Sequence, residues 1–282
     1  MIWLWCDKRM GMDKLRFAVA EKFISINGEA RRAGELSVFI RFRGCNLRCN
    51  YCDTLWACDE VKQEENCTNT GAECGDGRTA QKMSCVRDEN TARDPGDMCG
   101  DGKTTHDMNT EYMTAEEIYG YIKSSGVKNV TLTGGEPMIQ KNIAELLELL
   151  SEDKNLRTEI ETNGAVPLEE YYGKMPDNIS FTVDYKCPGS GMEKAMHLQN
   201  FEKIRSCDTV KFVVSDRTDL EKMCEVISEY GLTEKCTVYV SAVFGRIEPR
   251  EIVDYMIENK LNDVRLQLQI HKYVWDPQAR GV

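Results

Sequence analysis

The chain has 282 residues, a formal net charge of -11 and 13 cysteines. Its length allows one sizeable core, and its acidic balance argues against a nucleic-acid-binding surface, which would need a basic stripe. No apolar run reaches the roughly 18 residues that a membrane span requires.

The apolar start of the chain lacks the basic residues and the cleavage site of a signal peptide. We therefore expect residues 1–14 to be an N-terminal extension, with Met12 as a better start, and residues 15–282 to form the main domain. The cysteines are spread through a chain with strong α/β periodicity and do not resemble a secreted disulfide scaffold. We expect a reducing compartment, the cytoplasm.

The first predicted elements are two strands, Phe17–Ile26 and Ser37–Phe42. A turn at Gly44 then leads into the segment Cys45-Asn46-Leu47-Arg48-Cys49-Asn50-Tyr51-Cys52. Three thiolates at this spacing can hold three corners of an iron–sulfur cluster and leave the fourth iron open to a substrate or cofactor. A structural zinc site normally uses four ligands in two separated pairs, so the spacing favours a cluster.

The pattern changes between residues 57 and 112, where 13 acidic residues stand against six basic ones. The segment also repeats itself, since residues 74–79 return as residues 99–104 with one conservative change. It has too few large apolar residues for a core of its own, and we expect a long, flexible, disordered insertion. An auxiliary metal or cluster site is the alternative, although its cysteines form no tight CxxC pairs: Cys58, Cys67, Cys74, Cys85 and Cys99.

Regular structure is predicted to return at Thr114, where Thr114-Ala115-Glu116-Glu117 is typical of a capping box. Helices and strands then alternate, which predicts right-handed crossovers and a parallel sheet. About six parallel strands, fewer than the eight of a closed barrel, predict an α/β fold with a partial, open βα barrel. The predicted strands are 129–133, 158–162, 179–184, 209–214, 237–243 and 264–270, and the later helices are 141–150, 197–204, 220–230 and 249–259.

The strand at residues 129–133 ends in Gly134-Gly135-Glu136-Pro137. The glycine pair lets backbone groups approach a ligand closely, and Glu136 can accept a hydrogen bond from an ammonium group. Together with the cysteine loop, this segment resembles the radical S-adenosylmethionine (SAM) superfamily. In that superfamily SAM chelates the fourth iron, and the Gly-Gly-Glu-Pro segment contacts the SAM amino group.

A closer resemblance covers about residues 15–56 and 112–282. It depends on Ile26-Asn27-Gly28-Glu29, Phe39 to Cys49, Cys52-Asp53-Thr54, Thr133 to Pro137, Glu161 to Gly164, Arg265 to Lys272 and Trp275 to Pro277. These segments resemble the 7-carboxy-7-deazaguanine synthases, although that family has Gln where this chain has Asn27. The resemblance implies a carbon–nitrogen lyase that converts 6-carboxy-5,6,7,8-tetrahydropterin to 7-carboxy-7-deazaguanine with release of ammonia. This is a step toward queuosine and other 7-deazapurines, and thus toward tRNA modification.

The resemblance also implies the roles of individual residues. A [4Fe-4S] cluster on Cys45, Cys49 and Cys52 would cleave SAM to a 5′-deoxyadenosyl radical, which abstracts hydrogen from carbon six of the pterin before the ring contracts. Thr54 would bind Mg²⁺. The expected SAM contacts are Tyr51, Cys52, Asp53, Gly135, Glu136, Asp184, Tyr185 and Lys186, and the expected substrate contacts are Ile26, Asn27, Gly28, Glu29, Arg41 and Thr133.

Several structural alternatives remain open for these residues. Thr54 could serve as a helix N-cap, and Arg41 could form a structural ion pair with Glu29 because a charge inside a strand needs a partner. For His271 and Lys272, a substrate role and a packed strand end are equally compatible with the sequence.

The family resemblance further implies a homodimer and a reductant of the flavodoxin or ferredoxin type, with no nucleic-acid or membrane partner. The alternative activity is that of a glycyl-radical-enzyme activase, or of another radical SAM enzyme that acts on a small anionic substrate. A non-enzymatic alternative is a cysteine-rich metal-storage or interaction protein built around the acidic repeat.

Overall fold

The computed structural model describes residues 15–58, 110–277 and 279–282. The expectations for residues 1–14, for most of the insertion and for Cys67, Cys74, Cys85 and Cys99 lie outside these residues. Nine strands lie in the described part: β1 Phe17–Ile26, β2 Leu36–Phe42, β3 Glu111–Met113, β4 Asn129–Gly134, β5 Arg157–Thr162, β6 Ile179–Tyr185, β7 Thr209–Val214, β8 Thr237–Ala242 and β9 Val264–Leu266.

The helices of the described residues follow the strands in alternation. They are α1 Ala115–Ser125, α2 Ile143–Glu152, α3 Glu169–Tyr172, α4 Gln199–Glu202, α5 Arg217–Tyr230, α6 Leu232–Lys235, α7 Pro249–Glu258 and α8 His271–Val274. Short 3-10 helices occupy Ala30–Arg32, Leu55–Ala57, Pro137–Ile139, Pro188–Ser190 and Glu193–Ala195. None of the described helices is both long and apolar enough to cross a membrane.

The described strands form one sheet in the order β3-β1-β2-β4-β5-β6-β7-β8-β9. Seven strands, from β2 to β9 in this order, are mutually parallel, whereas β1 and β3 join one edge antiparallel. The predicted α/β fold with an open, partial barrel is confirmed, with seven parallel strands where the sequence predicted about six. The three-residue strand β3 was not predicted, because it is too short to show a period of two.

Strand alternation separates an apolar face from a polar one. Val210, Phe212 and Val214 of β7 lie in the hydrophobic core, whereas Lys211 and Val213 between them line the interior of the partial barrel. The same alternation is found in β2, where Ile40 lies in the hydrophobic core and the next residue, Arg41, lines the barrel interior. Because successive side chains of a strand point to opposite faces, the strands present polar side chains to the barrel interior.

Helix α1 begins as predicted. The Thr114 hydroxyl accepts a hydrogen bond from the Glu117 backbone N–H at 3.3 Å, and the Glu117 carboxylate accepts one from the Thr114 N–H at 2.8 Å. This reciprocal pair is a capping box. The helix ends at Gly126, whose φ of 69° is the left-handed conformation that glycine adopts without strain.

Two predicted elements are shorter in the structure. The helix expected at residues 197–204 is reduced to α4, because the buried Asn200 side chain bonds three backbone groups of the preceding loop, those of Gly164, Val166 and Leu168. The strand expected at residues 264–270 ends at Leu266. There the Gln267 side chain turns inward and bonds both the N–H and the carbonyl of Ala30.

The ends of the predicted insertion belong to the sheet domain. Ala57 and Cys58 are buried, and their carbonyls accept hydrogen bonds from Gly44 and Cys45 at 2.8 and 3.1 Å. At the other end, β3 pairs with β1 through Met113 and Phe17. The boundaries of 57 and 112 are therefore a few residues too wide at both ends.

Candidate active site

A cavity of about 500 Å³ opens at the carboxyl ends of the parallel strands, the end at which α/β barrels place their chemistry. It is lined by residues from nearly the whole described chain, between Glu21 and Val282. Most of the predicted site residues line it together: Ile26, Asn27, Gly28, Glu29, Arg41, Cys45, Cys49, Tyr51, Cys52, Asp53, Thr54, Thr133, Gly135, Asp184 and Lys186.

The cysteine loop places three half-buried thiols on this cavity. Cys45, Cys49 and Cys52 are free thiols, and the Cys52 N–H donates to the Cys49 carbonyl at 3.2 Å. The Cys45 sulfur lies 3.4 Å from the Leu47 N–H and 3.7 Å from the Asn163 amide. No group of three or more His, Cys, Asp or Glu in the described part of the chain is placed to hold a metal ion. Three thiols that line one cavity fit a cluster, in which each ligates a different iron.

A fourth cysteine, Cys58, lies next to Cys52 and also lines the cavity. Its sulfur is 3.9 Å from that of Cys52, and its thiol donates to the Thr54 carbonyl at 3.6 Å. Burial, with the neighbouring Cys52 and Cys45 thiols, raises the pKa of Cys58 to about 12. The sequence had associated Cys58 with an auxiliary site in the insertion, but in the structure it supports the cysteine loop.

The glycine pair at the end of β4 allows this strand to lie against the cysteine loop. Gly134 has a φ of 150°, and the Gly135 N–H donates to the Phe42 carbonyl at 3.1 Å. A Cβ atom on Gly135 would lie 2.1 Å from the Gly44 carbonyl oxygen. Only glycine fits this close approach, which holds β4 next to Cys45.

The carboxylate of Glu136 does not reach the cavity, contrary to its expected contact with SAM. The side chain is fully buried and accepts hydrogen bonds from the Met138 N–H, the Thr162 hydroxyl and the Asn163 N–H at 2.9, 2.8 and 2.6 Å. Burial raises its pKa to about 7 despite these donors. Glu136 thus connects the ends of β4 and β5, and its carboxylate faces these donors and not the cavity.

The three residues at the end of β6 that were predicted to contact SAM lie on two different faces of the strand. Asp184 and Lys186 line the cavity, and the Lys186 ammonium donates to Asp184 Oδ2 at 2.6 Å. The Tyr185 side chain lies on the opposite face, where its ring packs 5.4 Å from that of Phe201 and 5.6 Å from that of Phe212. The expected contact between Tyr185 and SAM is therefore not supported, because neighbouring residues of a strand point in opposite directions.

The turn after β1 approaches the cavity at Gly28. A Cβ atom there would lie 2.3 Å from Nδ1 of His271. The Asn27 side chain points into the protein, and its amide donates to Thr131 and Glu159 at 3.3 and 3.1 Å. Its carbonyl accepts from the Glu29 N–H at 3.1 Å. These hydrogen bonds shape the turn, while Asn27 still lines the cavity, so its expected contact with substrate stays a prediction.

Glu29 is buried at the cavity wall and has a partner for each oxygen. The Lys211 ammonium donates to Oε2 at 2.6 Å, and the Gln269 amide donates to Oε1 at 2.5 Å. Burial alone would raise the pKa of Glu29, but the Lys211 charge and both hydrogen bonds outweigh it and lower that pKa. Glu29 is therefore an ionised carboxylate inside the protein.

Arg41 forms its ion pair with Glu21 and not with Glu29, which corrects the structural alternative considered from the sequence. Arg41 Nε donates to Glu21 Oε1 at 2.7 Å, because β1 pairs antiparallel with β2 and places these residues side by side. The ion pair is formed by Nε. The guanidinium also lines the cavity, where its planar fork can contact a ligand.

Thr54 precedes the 3-10 helix Leu55–Ala57, but its hydroxyl makes no capping hydrogen bond. Thr54 thus occupies the N-cap position without capping the helix through its side chain. Its hydroxyl lies 3.7 Å from the Cys52 sulfur. The adjacent Asp53 forms an ion pair with Lys272 at 3.1 Å.

His271 and Lys272 both line the cavity, but as part of α8 and not as the end of a strand. Burial lowers the pKa of His271, so its ring is neutral at pH 7. The alternative that these residues form a packed strand end is therefore wrong, because they lie in a helix.

Sequence reasoning missed several lining residues, chiefly Glu161, Lys211 and Gln269. One signal for Lys211 was present, because it is the only charged residue in the apolar strand Thr209–Val214. A lysine inside such a strand is costly unless it is paired. The residues at 279–282 also line the cavity, and no local sequence pattern predicted this position for them.

The cavity thus joins three thiols to a wall of opposite charges, formed by Arg41, Lys186 and Lys211 with Glu29, Glu161 and Asp184. Such a wall can orient a small, polar, ionised molecule through charge-assisted hydrogen bonds. The thiols can hold an iron–sulfur cluster within the same enclosed space.

Comparison with known proteins agrees with this arrangement. The Radical SAM superfamily model matches residues 39–186, just over half of the chain. A 7-carboxy-7-deazaguanine synthase from Clostridium acetobutylicum is 46% identical over 268 residues, which cover 95% of this chain and 100% of the relative. A protein of the same name from Leptospira interrogans is 29% identical, with 96% and 100% covered.

The crystal structure of QueE from Escherichia coli has the same fold. It superposes with a TM-score of 0.61 at 20% identity, covering 90% of this chain and 93% of that one. The match to the superfamily model and the identity over the full length of the Clostridium relative assign the family. The chain belongs to the 7-carboxy-7-deazaguanine synthase family within the radical SAM superfamily.

Proposed function

We propose that this chain is a carbon–nitrogen lyase that converts 6-carboxy-5,6,7,8-tetrahydropterin to 7-carboxy-7-deazaguanine with release of ammonia. The main observation in support of the proposal is that the three thiols of the cysteine loop line the same cavity as Glu29, Arg41 and Thr133. The names of the relatives support the same reaction. A small anionic substrate fits this charged cavity better than the polypeptide backbone that a glycyl-radical activase would act on.

Cys45, Cys49 and Cys52 would hold the [4Fe-4S] cluster. Their thiols are free, half-buried and open to the cavity, which fits this group. Bound there, the cluster and SAM supply the one-electron radical chemistry that amino-acid side chains cannot perform. The side chains bind and orient the two ligands and restrict the access of water.

The proposed SAM contacts are those that line the cavity next to the cysteine loop. They are Tyr51, Cys52, Asp53, Gly135, Asp184 and Lys186. Tyr51 is held in place by a hydrogen bond from its hydroxyl to the Val213 carbonyl at 3.1 Å. Glu136 supports this region from behind through its contact with Asn163.

The proposed substrate contacts lie on the other side of the cavity. The Arg41 guanidinium suits the substrate carboxylate, because a planar fork binds two carboxylate oxygens at once. Glu29 is ionised and accepts hydrogen bonds, so it suits the N–H groups of the pterin ring. Thr133 and the backbone at residues 26–28 complete the contact.

Thr54 is the proposed Mg²⁺ ligand. One hydroxyl is a weak site alone, but Mg²⁺ commonly keeps several waters and takes other oxygens from its substrate. The Thr54 hydroxyl makes no capping hydrogen bond, and the substrate carboxylate would supply the missing oxygens.

The remaining expectations belong to the same proposal. The protein would act in the cytoplasm on the path to queuosine and other deazapurines, as a homodimer, with a reductant of the flavodoxin or ferredoxin type. Residues 59–109 would be an insertion that the reaction does not need.

The test is an anaerobic assay of reconstituted protein with SAM, reductant, Mg²⁺ and 6-carboxytetrahydropterin, followed by mass spectrometry. We expect 7-carboxy-7-deazaguanine to form without stoichiometric loss of SAM. Removal of Mg²⁺ by a chelator and the Thr54→Ala substitution should each slow product formation. Formation of 5′-deoxyadenosine without deazaguanine would agree with the assignment to the radical SAM superfamily but would overturn the proposed substrate.

A further inference from the structure

Lys211 is a buried cation between two carboxylates that belong to different halves of the cavity. Its side chain is only 8% exposed, and its ammonium lies 2.6 Å from Glu29 Oε2 and 3.3 Å from Asp184 Oδ1. Glu29 lies in the turn after β1, where we place the pterin, whereas Asp184 lies in β6, where we place SAM. Lys211 is thus the direct contact between the two proposed ligand positions.

The outer oxygen of each carboxylate is fixed by a different residue. The Gln269 amide binds Oε1 of Glu29, and the Lys186 ammonium binds Oδ2 of Asp184 at 2.6 Å. These contacts form a continuous row, Gln269–Glu29–Lys211–Asp184–Lys186, across the cavity wall. Each group in the row shares a partner with the next, so the row connects the two proposed ligand positions through direct contacts.

The Lys211 contacts are unequal. The contact with Glu29 is a short hydrogen bond, whereas Asp184 Oδ1 is buried and accepts no hydrogen bond of normal geometry within the described residues. Burial alone would lower the pKa of Lys211, but the charges of Asp184, Glu29 and Glu161 raise it well above its usual value. The residue is therefore a permanent cation that can shift between two acceptors, and a ligand on Glu29 would release it toward Asp184.

We propose that Lys211 is a positioning residue that couples pterin binding at Glu29 to SAM binding at Asp184. The inference rests on the proposed function for the identity of the two ligands. A ligand that takes up hydrogen-bonding capacity of Glu29 strengthens the contact of Lys211 with Asp184, which orders the SAM side of the cavity. By linkage, SAM must increase the affinity for the pterin by the same factor.

The experiment measures the Kd of SAM with and without 6-carboxytetrahydropterin, by anaerobic equilibrium dialysis of the cluster-loaded protein. Without a reductant no turnover occurs, so both ligands remain intact. For the wild-type protein we expect the pterin to tighten SAM binding about five-fold or more, the lower end of typical allosteric coupling.

Four variants separate coupling from general support of the fold. Lys211→Met removes the charge and Lys211→Gln keeps a donor without the charge; both should bring the ratio of the two Kd values to about one. Lys211→Arg keeps the charge and should retain most of the coupling. The control Lys154→Met removes an exposed lysine that contacts only the Ser151 carbonyl and should match the wild-type ratio.

Iron content and thermal midpoint identify variants that have folded. A wild-type ratio of one, or a folded Lys211→Gln protein with the wild-type ratio, would overturn the coupling role. Failure of the proposed function gives a different result, namely no deazaguanine from the wild-type protein in the product assay. If Lys211→Met fails to fold, the comparison of Lys211→Gln with Lys211→Arg still decides the inference.

Discussion

Burial distinguishes Cys58 from the three cysteines that share its surroundings. All four cysteines line the cavity, but Cys45, Cys49 and Cys52 are half-buried, whereas Cys58 is 3% exposed and donates to a backbone carbonyl. A metal ligand must be a thiolate, and burial raises the pKa of the Cys58 thiol to about 12. At this scale, the degree of burial and the backbone partner separate the candidate cluster ligands from a structural neighbour of the same chemistry.

Serine substitutions test this distinction. Cys45→Ser, Cys49→Ser and Cys52→Ser should each lower the iron content of anaerobically reconstituted protein from about four per chain and weaken the visible absorption of the cluster. Cys58→Ser is the matched control, because it exchanges the same atoms 3.9 Å away from Cys52. It should keep the wild-type iron content, and an equal loss of iron in Cys58→Ser would show that four cysteines hold the metal.

At the scale of single elements, strand ends determine the shape of the cavity. The last residues of β4 turn against Gly44 of the cysteine loop, and the Glu136 N–H donates to the Gly44 carbonyl at 2.8 Å. The Glu136 carboxylate then connects this point to the N–H of Asn163 after β5. These hydrogen bonds to the backbone and to the Glu136 carboxylate join three neighbouring chain segments.

Two glycine-to-alanine substitutions separate this close contact from the conformational freedom of glycine. Gly135→Ala places a Cβ atom 2.1 Å from the Gly44 oxygen, and we expect a loss of about 1 to 3 kcal/mol in the free energy of unfolding, with weaker SAM binding. Gly120→Ala in α1 meets no atom within 4 Å and should stabilise the protein by about 1 kcal/mol, because alanine favours a helix over glycine. Urea unfolding of both variants measures the difference.

The SAM affinity of the same variants provides the second comparison. Gly120→Ala should bind SAM like the wild-type protein, since α1 contributes no residue to the cavity lining. If Gly135→Ala also kept wild-type stability and SAM affinity, the close approach of β4 to the cysteine loop would be required neither for stability nor for SAM binding.

At the scale of the whole molecule, the open parallel sheet brings distant segments to one edge. Residues as far apart in the chain as Asn27 and His271 line the same cavity. The parallel strands bring their carboxyl ends to one side, whereas the antiparallel β1 brings the turn at Asn27 to the barrel interior from the opposite end. The described cavity lining comes from residues 21–58 and 133–282. Because the described residues already bring the three thiols and the charged wall to one cavity, we expect the reaction not to depend on residues 59–109.

Replacement of residues 59–109 by a Gly/Ser linker of about ten residues tests this expectation, since such a linker is flexible enough to join the flanking segments. The linker should begin after Cys58 and end before Thr110, so that Ala57, Cys58 and β3 keep their contacts in the sheet domain. We expect wild-type iron content and product formation. A folded, iron-loaded deletion variant without product would assign a role to the segment.

The sequence by itself determined the fold class, the cysteine loop and most strand positions. β1 and β7 have the predicted bounds, because long alternating or apolar runs are local signals. The capping box at the start of α1 is a local signal of the same kind. The spacing of Cys45, Cys49 and Cys52 is equally local, and the family resemblance could be read from short segments along the chain without knowledge of how they meet.

Only the tertiary structure decided which side chains face the cavity. Glu136, Tyr185 and Asn27 lie in the expected segments, yet their polar groups turn into the protein, because buried donors and acceptors take the nearest partners that folding provides. The partner of Arg41 depended on the antiparallel pairing of β1 with β2. The row of charges through Lys211 joins residues 182 positions apart, and such a contact exists only after β1 and β7 meet at the barrel interior.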